Sequence, residues 1–299
     1  MISVVIPLYN KEQSVKNTIR TVLDQTFQDF EIVIVDDGST DHSAEKVLEI
    51  SDSRIRLISQ SNAGVSVARN RGISEADGEF IAFLDADDVW SSDYLMTMHR
   101  LTAAFPQCDV FASNYNFRQP DGTLKPTVIN RLPFRGKTGL LTNYFEVASC
   151  SHPPLWTSAV MVRKSAIHAV GGFPPGVKSG EDLLTWARLA CRYNIAYCNI
   201  PIATFVADGY GIHDRPKRIP SEKDYVGDEL ARLYISCRSR SLKRYVAHWH
   251  KMRANIYMRL RMRRLSVKEC LVGLKYHPTN IKLYAFMFLN MLPSRLQPF

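Results

Sequence analysis

The stretch "EFIAFLDADDVW" (residues 79–90) decides the fold. Phe80 to Leu84 form a continuous apolar run, as in a strand buried on both faces. The run stops at Asp85, Ala86, Asp87 and Asp88. Three carboxylates at a strand end repel one another and resist burial, so they call for a cation, a basic neighbourhood or water. Three similar runs precede this one: "SVVIPL" (3–8), "EIVIVDD" (31–37) and "RIRLIS" (54–59). Helical spacing fills the gaps, through Val15, Ile19, Val22 and Leu23, through Ala44, Val47 and Leu48, and through "GVSVARNRGISEA" (64–76). Strands alternating with helices predict an α/β fold with a mostly parallel sheet flanked by helices. Ligands of such sheets bind at the carboxyl ends of the strands. Tyr9-Asn10, Asp36-Asp37 and Asp85–Asp88 all fall at such ends.

Several chemistries are excluded. In an EF-hand register beginning at Asp85, Val89 and Trp90 would take the fifth and sixth places, where a ligand and a glycine are needed. No G-x-G-x-x-G follows the first strand, and the phosphate-loop pattern G-x-x-x-x-G-K-[ST] does not occur. A D-x-D at a sheet edge suits a hard divalent cation, Mg²⁺ or Mn²⁺, which takes oxygen ligands and completes its shell with phosphates. Asp85 and Asp87 would then grip a nucleotide diphosphate. Asp88 is either a further metal contact or else a helix N-cap or an acid behind the site.

Four stretches in order resemble glycosyltransferase family 2: "SVVIPLYNKE" (3–12), "FEIVIVDDGSTD" (30–41), "NAGVSVARNRGISEADGEFIAFLDADD" (62–88) and "GGFPPGVKSGEDLLTWARLA" (171–190). The resemblance covers roughly residues 1–215 and implies the GT-A fold and an inverting transfer from a nucleotide-sugar. It implies that Pro7 and Tyr9 line the base pocket and that Asp37 accepts the imide N–H of a uracil. Arg69 is expected beside the base or Asp37, Asp85 on the ribose with Ala86 leaving room, and Asp87 on the metal. In "GED" (180–182), Asp182 is the candidate base and Glu181 an acceptor contact. Its pKa need not be high, because the acceptor hydroxyl grows acidic as it bonds to the anomeric carbon. His213 stands where many members place a histidine near the diphosphate and is a candidate metal ligand. Trp156 and His152 in "SHPPLW" are candidates to face the acceptor, with core packing as the other role of Trp156.

Charge divides the chain. Residues 230–299 hold 15 Lys+Arg and one acid, Glu269, a balance of +14; residues 1–229 hold 23 bases and 28 acids, a balance of −5. The expected domains are therefore 1–220, the transferase, and 221–299, a basic helical region. Ten bases and no acid lie in 238–264, interleaved with Tyr245, Trp249, Tyr257, Met258 and Met262. This pattern predicts an anionic membrane surface as partner, with the rings as interfacial anchors. No nucleic-acid motif accompanies it, so nucleic acid is not expected; a homo-oligomer stays open. The N-terminus enters a strand at once, without a basic leader region, and the six cysteines show no C-x-x-C spacing. The expected place is the bacterial cytoplasm, peripheral at the inner face of the plasma membrane. The expected partners are a nucleotide-sugar donor, of UDP type, and a glycan acceptor, in particular a lipid-linked one. Two rivals are a sugar nucleotidyltransferase, which would want glycine in "PLYNKEQ", and a non-catalytic sugar-nucleotide-binding module, which would not need Asp182.

Overall fold

The computed structural model describes residues 1–119, 121–206 and 219–292. Two compact units divide the chain: Met1–Val147 with Ser151–Gly209, and Ala148–Cys150 with Tyr210–Phe299. The first unit opens with β1 (Ile2–Leu8), α1 (Val15–Leu23), β2 (Phe30–Asp36), α2 (Ser43–Leu48), β3 (Ile55–Ser59), α3 (Val65–Glu75) and β4 (Phe80–Phe83). It continues with β5 (Val89–Trp90), α4 (Tyr94–Ala104), β6 (Val110–Arg118), β7 (Leu124–Pro126) and β8 (Thr138–Leu140). Then come α5 (Tyr144–Cys150), whose last three residues count with the second unit, β9 (Val160–Arg163), α6 (Lys164–Ala169), α7 (Glu181–Ala190) and β10 (Ile195–Val206).

The sheet runs β3-β2-β1-β4-β9-β6-β10-β5, with β7 on β6 and β8 on β10. β1 is buried along its length except at Pro7, because it lies parallel between β2 and β4, pairing Val5 with both Val33 and Phe83. Ile6, Leu8, Ile32 and Ile34 enter one core with Val15, Ile19 and Val22 of α1. Each such side chain stabilises the fold by roughly 1.5–3 kcal/mol. α3 covers the sheet at the closest distance allowed: a Cβ on Gly72 would stand 2.3 Å from Val5 Cγ1. The four-strand parallel half is the part that alternation predicts. Beyond it β9 runs antiparallel to both β4 and β6. At four residues β9 is too short to show a period in the sequence.

The second unit is helical: α8 (Tyr225–Cys237), α9 (Arg240–Arg259), α10 (Arg263–Tyr276) and α11 (Ile281–Met291). Its packing corrects the expectation for 238–264. Tyr245, Trp249, Tyr257 and Met258 are buried, so they are core residues and not membrane anchors. Arg253 is buried too. Its Nε lies 2.8 Å from Glu269 and 3.2 Å from Asp224. His250 Nδ1 stands 2.7 Å from Glu269, and Trp249 Nε1 donates to Asp224 at 2.9 Å. Asp224 also caps α8 by accepting from the Gly227 N–H at 2.9 Å. Asp224, His250 and Glu269 could between them hold a metal ion. The Arg253 guanidinium already supplies the cation, so the cluster is an ion-paired clasp joining three helices. Arg253→Met should leave two buried carboxylates without their cation, at a cost of about 3–5 kcal/mol. Thermal unfolding will check this: a melting temperature equal to that of the parent would mean that the clasp contributes nothing.

Candidate active site

The carboxyl ends of β1, β2 and β4 meet the start of α7. After β1, Asn10 adopts a left-handed backbone (φ 51°). Its side chain accepts from the Thr40 N–H at 2.8 Å, and its own N–H donates to Ser39 Oγ at 3.1 Å. The loops after β1 and β2 are thereby joined. Tyr9, two residues after Pro7, is left 47% exposed, an open aromatic surface. Asp37 is buried and accepts from Gln60 Nε2 (2.7 Å) and from the N–H groups of Ala63 (2.9 Å) and Gly64 (2.8 Å). Three donors hold it as the organiser of the 60–64 loop, leaving about one acceptor site of a carboxylate's four for a ligand.

The D-x-D turn is held from behind by α1. Ser14 Oγ donates to the Ala86 carbonyl at 2.9 Å, and Thr18 Oγ1 lies 3.0 Å from Ala86 O and 2.8 Å from Asp88 O. Ala86 itself is buried. This clamp sends the three acids in different directions. Asp88 is 1% exposed and accepts from Ser158 Oγ (2.6 Å), the Val206 N–H (3.0 Å) and, at 3.5 Å, Trp156 Nε1. Burial, with the charges of Asp85 and Asp87 adding to it, pushes Asp88 up to about 8 against those donors. Its role is internal: it ties the turn to β10 and to the 3-10 turn Thr157–Ala159. Asp85 and Asp87 face outward. Asp87 is paired with the Lys11 ammonium; burial and the Asp85 charge raise its pKa while Lys11 lowers it. Lys11 was not among the residues singled out from sequence, although a lysine three residues after β1 was the available signal.

Arg69 departs from expectation. It is 4% exposed and does not lie on Asp37: its Nη2 donates to Asp85 at 2.7 Å and its Nη1 to Glu181 at 3.3 Å. Its guanidinium also sits over the Phe173 ring, 5.0 Å from the centroid. Burial works against its charge, but Asp85, Glu181 and Asp182 outweigh this and raise its pKa. The packing of α3 on β1 and β2 explains the change, since it places Arg69 at the D-x-D edge. The next residue, Asn70, fixes the loop at Phe173 by donating to its carbonyl (2.7 Å) and accepting its N–H (2.8 Å). A Cβ on Gly172 would come within 2.4 Å of Asn70 Oδ1, which accounts for the glycine in "GGF".

Asp182 lies in the first turn of α7, after Gly180 in a left-handed conformation (φ 81°). Its Oδ1 accepts from the Leu183 N–H at 2.7 Å. Burial, then the charge of Glu181, pushes it up to about 7, although Arg69 and that N–H oppose the rise. Trp156 stacks on Tyr115 (centroids 5.5 Å apart) and meets Phe205 edge-on, which makes it chiefly a packing residue. His152 is exposed and bonded to the Val128 N–H at 3.1 Å. His213 lies outside the described residues.

The family model for "Glycosyl transferase family 2" matches residues 3–167, more than half of the chain. The chain belongs to glycosyl transferase family 2. Among family 2 relatives, glycosyltransferase GlyA of Streptococcus pneumoniae is 39% identical over 124 residues, 40% of this chain and 18% of that protein. A second relative, from Escherichia coli, is UDP-Glc:alpha-D-GlcNAc-diphosphoundecaprenol beta-1,3-glucosyltransferase WfgD. It is 44% identical over 96 residues, 32% of this chain and 38% of that protein. The chain thus spans well under half the length of these two relatives. In structure it resembles S. aureus TarS 1-349, solved in complex with UDP-GlcNAc: TM-score 0.69, 16% identity, covering 97% of this chain and 90% of that one. The GT-A fold follows from that likeness.

Proposed function

We propose that this protein is an inverting glycosyltransferase that moves a sugar from a UDP-sugar to a hydroxyl of a growing, lipid-linked polysaccharide. One observation carries the proposal. Arg69 is bonded at once to Asp85, on the donor side, and to Glu181, which adjoins Asp182 on the acceptor side. Two acid pairs from distant parts of the chain are thereby held at one sheet edge. Binding alone needs only the first pair; transfer needs a base facing the departing diphosphate as well.

Within this assignment Tyr9 offers its ring to the base, Asp37 its remaining acceptor site to an imide N–H, and Asp85 its free oxygen to the ribose. The outward carboxylate of Asp87 fits Mg²⁺ or Mn²⁺, both of which prefer oxygen donors; the Lys11 ammonium beside it indicates a preference for positive charge there. Such an ion, when bound, would stabilise negative charge on the departing diphosphate. Asp182 would take the acceptor proton on its unoccupied oxygen, and no covalent intermediate is needed. His213 and Trp156 are further candidates for the metal and the acceptor.

The donor and acceptor named for the E. coli relative, and the nucleotide-sugar bound to TarS, support a UDP donor and a diphospho-lipid acceptor. We place the transfer chemistry in residues 1–220, with 221–299 as an accessory helical region at the inner face of a bacterial membrane. No helix among the described residues is long and apolar enough to cross a membrane. A thermal-shift panel of nucleotides and nucleotide-sugars, with and without Mn²⁺, tests the donor class. Uridine diphosphates with Mn²⁺ should raise the melting temperature; at a hundredfold excess over the dissociation constant the gain is about 2.7 kcal/mol. Stabilisation by guanosine or thymidine diphosphates and not by UDP would overturn the donor assignment.

A further inference from the structure

Helix α11 carries apolar chemistry on two opposite faces. On one, Leu283 is buried with Ala254 and Cys270, and Phe286 and Met287 pack against them. Asn290 Nδ2 on the same side donates to Ser266 Oγ at 2.9 Å. A Cβ on Gly273 of α10 would come within 2.9 Å of Leu283, so the helices touch there. The other face holds Ile281, Tyr284, Phe288 and Met291, which are 81%, 51%, 63% and 80% exposed. At helical spacing these four fall within an arc of about 80°, on the side away from Leu283 and Asn290. A surface helix ordinarily puts polar groups there, and an apolar row of this kind marks an interaction surface.

Charge indicates what covers it. Lys282 on α11 is exposed. Lys251 of α9 is near enough that the Lys282 charge, after burial, lowers its pKa. Lys251 Nζ donates to His248 Nδ1 at 3.1 Å, and burial pushes His248 down to about 3, so that partner is neutral. The single acid of residues 230–299, Glu269, is taken up inside by Arg253 and His250. The row therefore belongs to a region with 15 Lys+Arg and one acid, and that acid is paired internally. A second copy of the chain would bring the same charge against itself. A surface that is apolar in depth and anionic at its rim matches both features.

We propose that α11 lies in the interface of an anionic bilayer, with Ile281, Tyr284, Phe288 and Met291 entering the acyl boundary and Lys282 and Lys251 against lipid phosphates. This rests on the proposed function only in that a lipid-linked acceptor brings the enzyme to a membrane. It moves the contact from 238–264, whose rings are internal, to a helix whose rings are bare.

Flotation of the full chain with phosphatidylglycerol/phosphatidylcholine vesicles, and with phosphatidylcholine alone, tests it. The protein should float with the anionic vesicles, and less so as salt rises. Phe288→Asp should lower partitioning roughly tenfold or more, and Lys282→Glu about fivefold. Both side chains are exposed, so melting temperatures should match the parent. UDP binding, followed in parallel by calorimetry, should be unchanged in both variants. Loss of UDP binding by the parent with flotation intact would overturn the proposed function and leave α11 as assigned. Three results would overturn the α11 assignment: no flotation of the parent on anionic vesicles at low salt, undiminished flotation of Phe288→Asp, or a parent dimer that Phe288→Asp dissociates, which would give the face to a second copy.

Discussion

Asp182→Asn will retain UDP and UDP-sugar binding and lose sugar transfer by about a thousandfold or more. The amide keeps the shape of the side chain and can still accept the Leu183 N–H through its oxygen. It cannot take a proton from an acceptor hydroxyl. The pH dependence has a definite sign. Burial and Glu181 push Asp182 up to about 7, so the ionised base gathers only as pH rises through that value. The parent's kcat/KM should climb toward pH 7 and level off above it, whereas residual activity of the Asn variant should lack that rise. Stability runs the other way. An aspartate whose folded pKa lies above its unfolded value of 3.8 contributes stability that is full below the lower value and lost as pH rises toward 7. Asn has no proton to lose, so the variant's melting temperature should gain on the parent's between pH 5 and pH 8. Near-normal turnover by Asp182→Asn, with UDP binding intact, would move the base elsewhere and leave Asp182 as a helix-terminal acid.

The parts of this chain that could be read from sequence are those governed by short-range periodicity. β1, β2 and β4 are continuous apolar runs ending in polar clusters, and with the helical spacing between them that is enough to predict a parallel sheet, though not its strand order. Side-chain direction within a turn obeys no such period. Asp85, Asp87 and Asp88 are equivalent by composition, yet Ser14, Thr18 and Ser158 turn Asp88 inward and leave Asp85 and Asp87 facing out. Arg69 falls in the helix that the sequence predicts but bonds Asp85 and Glu181 and not Asp37, because a guanidinium at the end of a long side chain finds its acid through helix packing, which the sequence does not encode locally. The basic region failed for a different reason. Tyr245, Trp249, Arg253 and Tyr257 recur every four residues, a spacing that marks the buried stripe of a helix as readily as a membrane face. Charge count obscured that spacing, and Arg253 belongs to the buried set together with Glu269.

Asp87→Ala will abolish the metal dependence of UDP binding. In calorimetry with Mn²⁺ the parent should bind UDP on the order of a hundredfold more tightly than the variant, and EDTA should bring the parent down to the variant's level. The variant itself should be indifferent to EDTA. These expectations follow from the outward placement of Asp87, its partial burial, and the cation already drawn to it. Lys11 makes the test sharper. Its ammonium is paired with Asp87, so removing the carboxylate takes one negative charge from beside a lysine at the site where a diphosphate would arrive. Residual UDP binding by Asp87→Ala should therefore depend steeply on salt, and Asp87→Ala with Lys11→Ala should lose that residue of affinity. Asp88→Ala forms the control within the same turn. It removes the acceptor for the Ser158 hydroxyl and the Val206 N–H, so its effect should fall on the melting temperature, while metal-dependent binding persists in the fraction that remains folded. Equal UDP affinity for parent and Asp87→Ala in the presence of Mn²⁺ would sink the clamp. So would an EDTA effect that survives in the variant, because the ion would then be held by other groups.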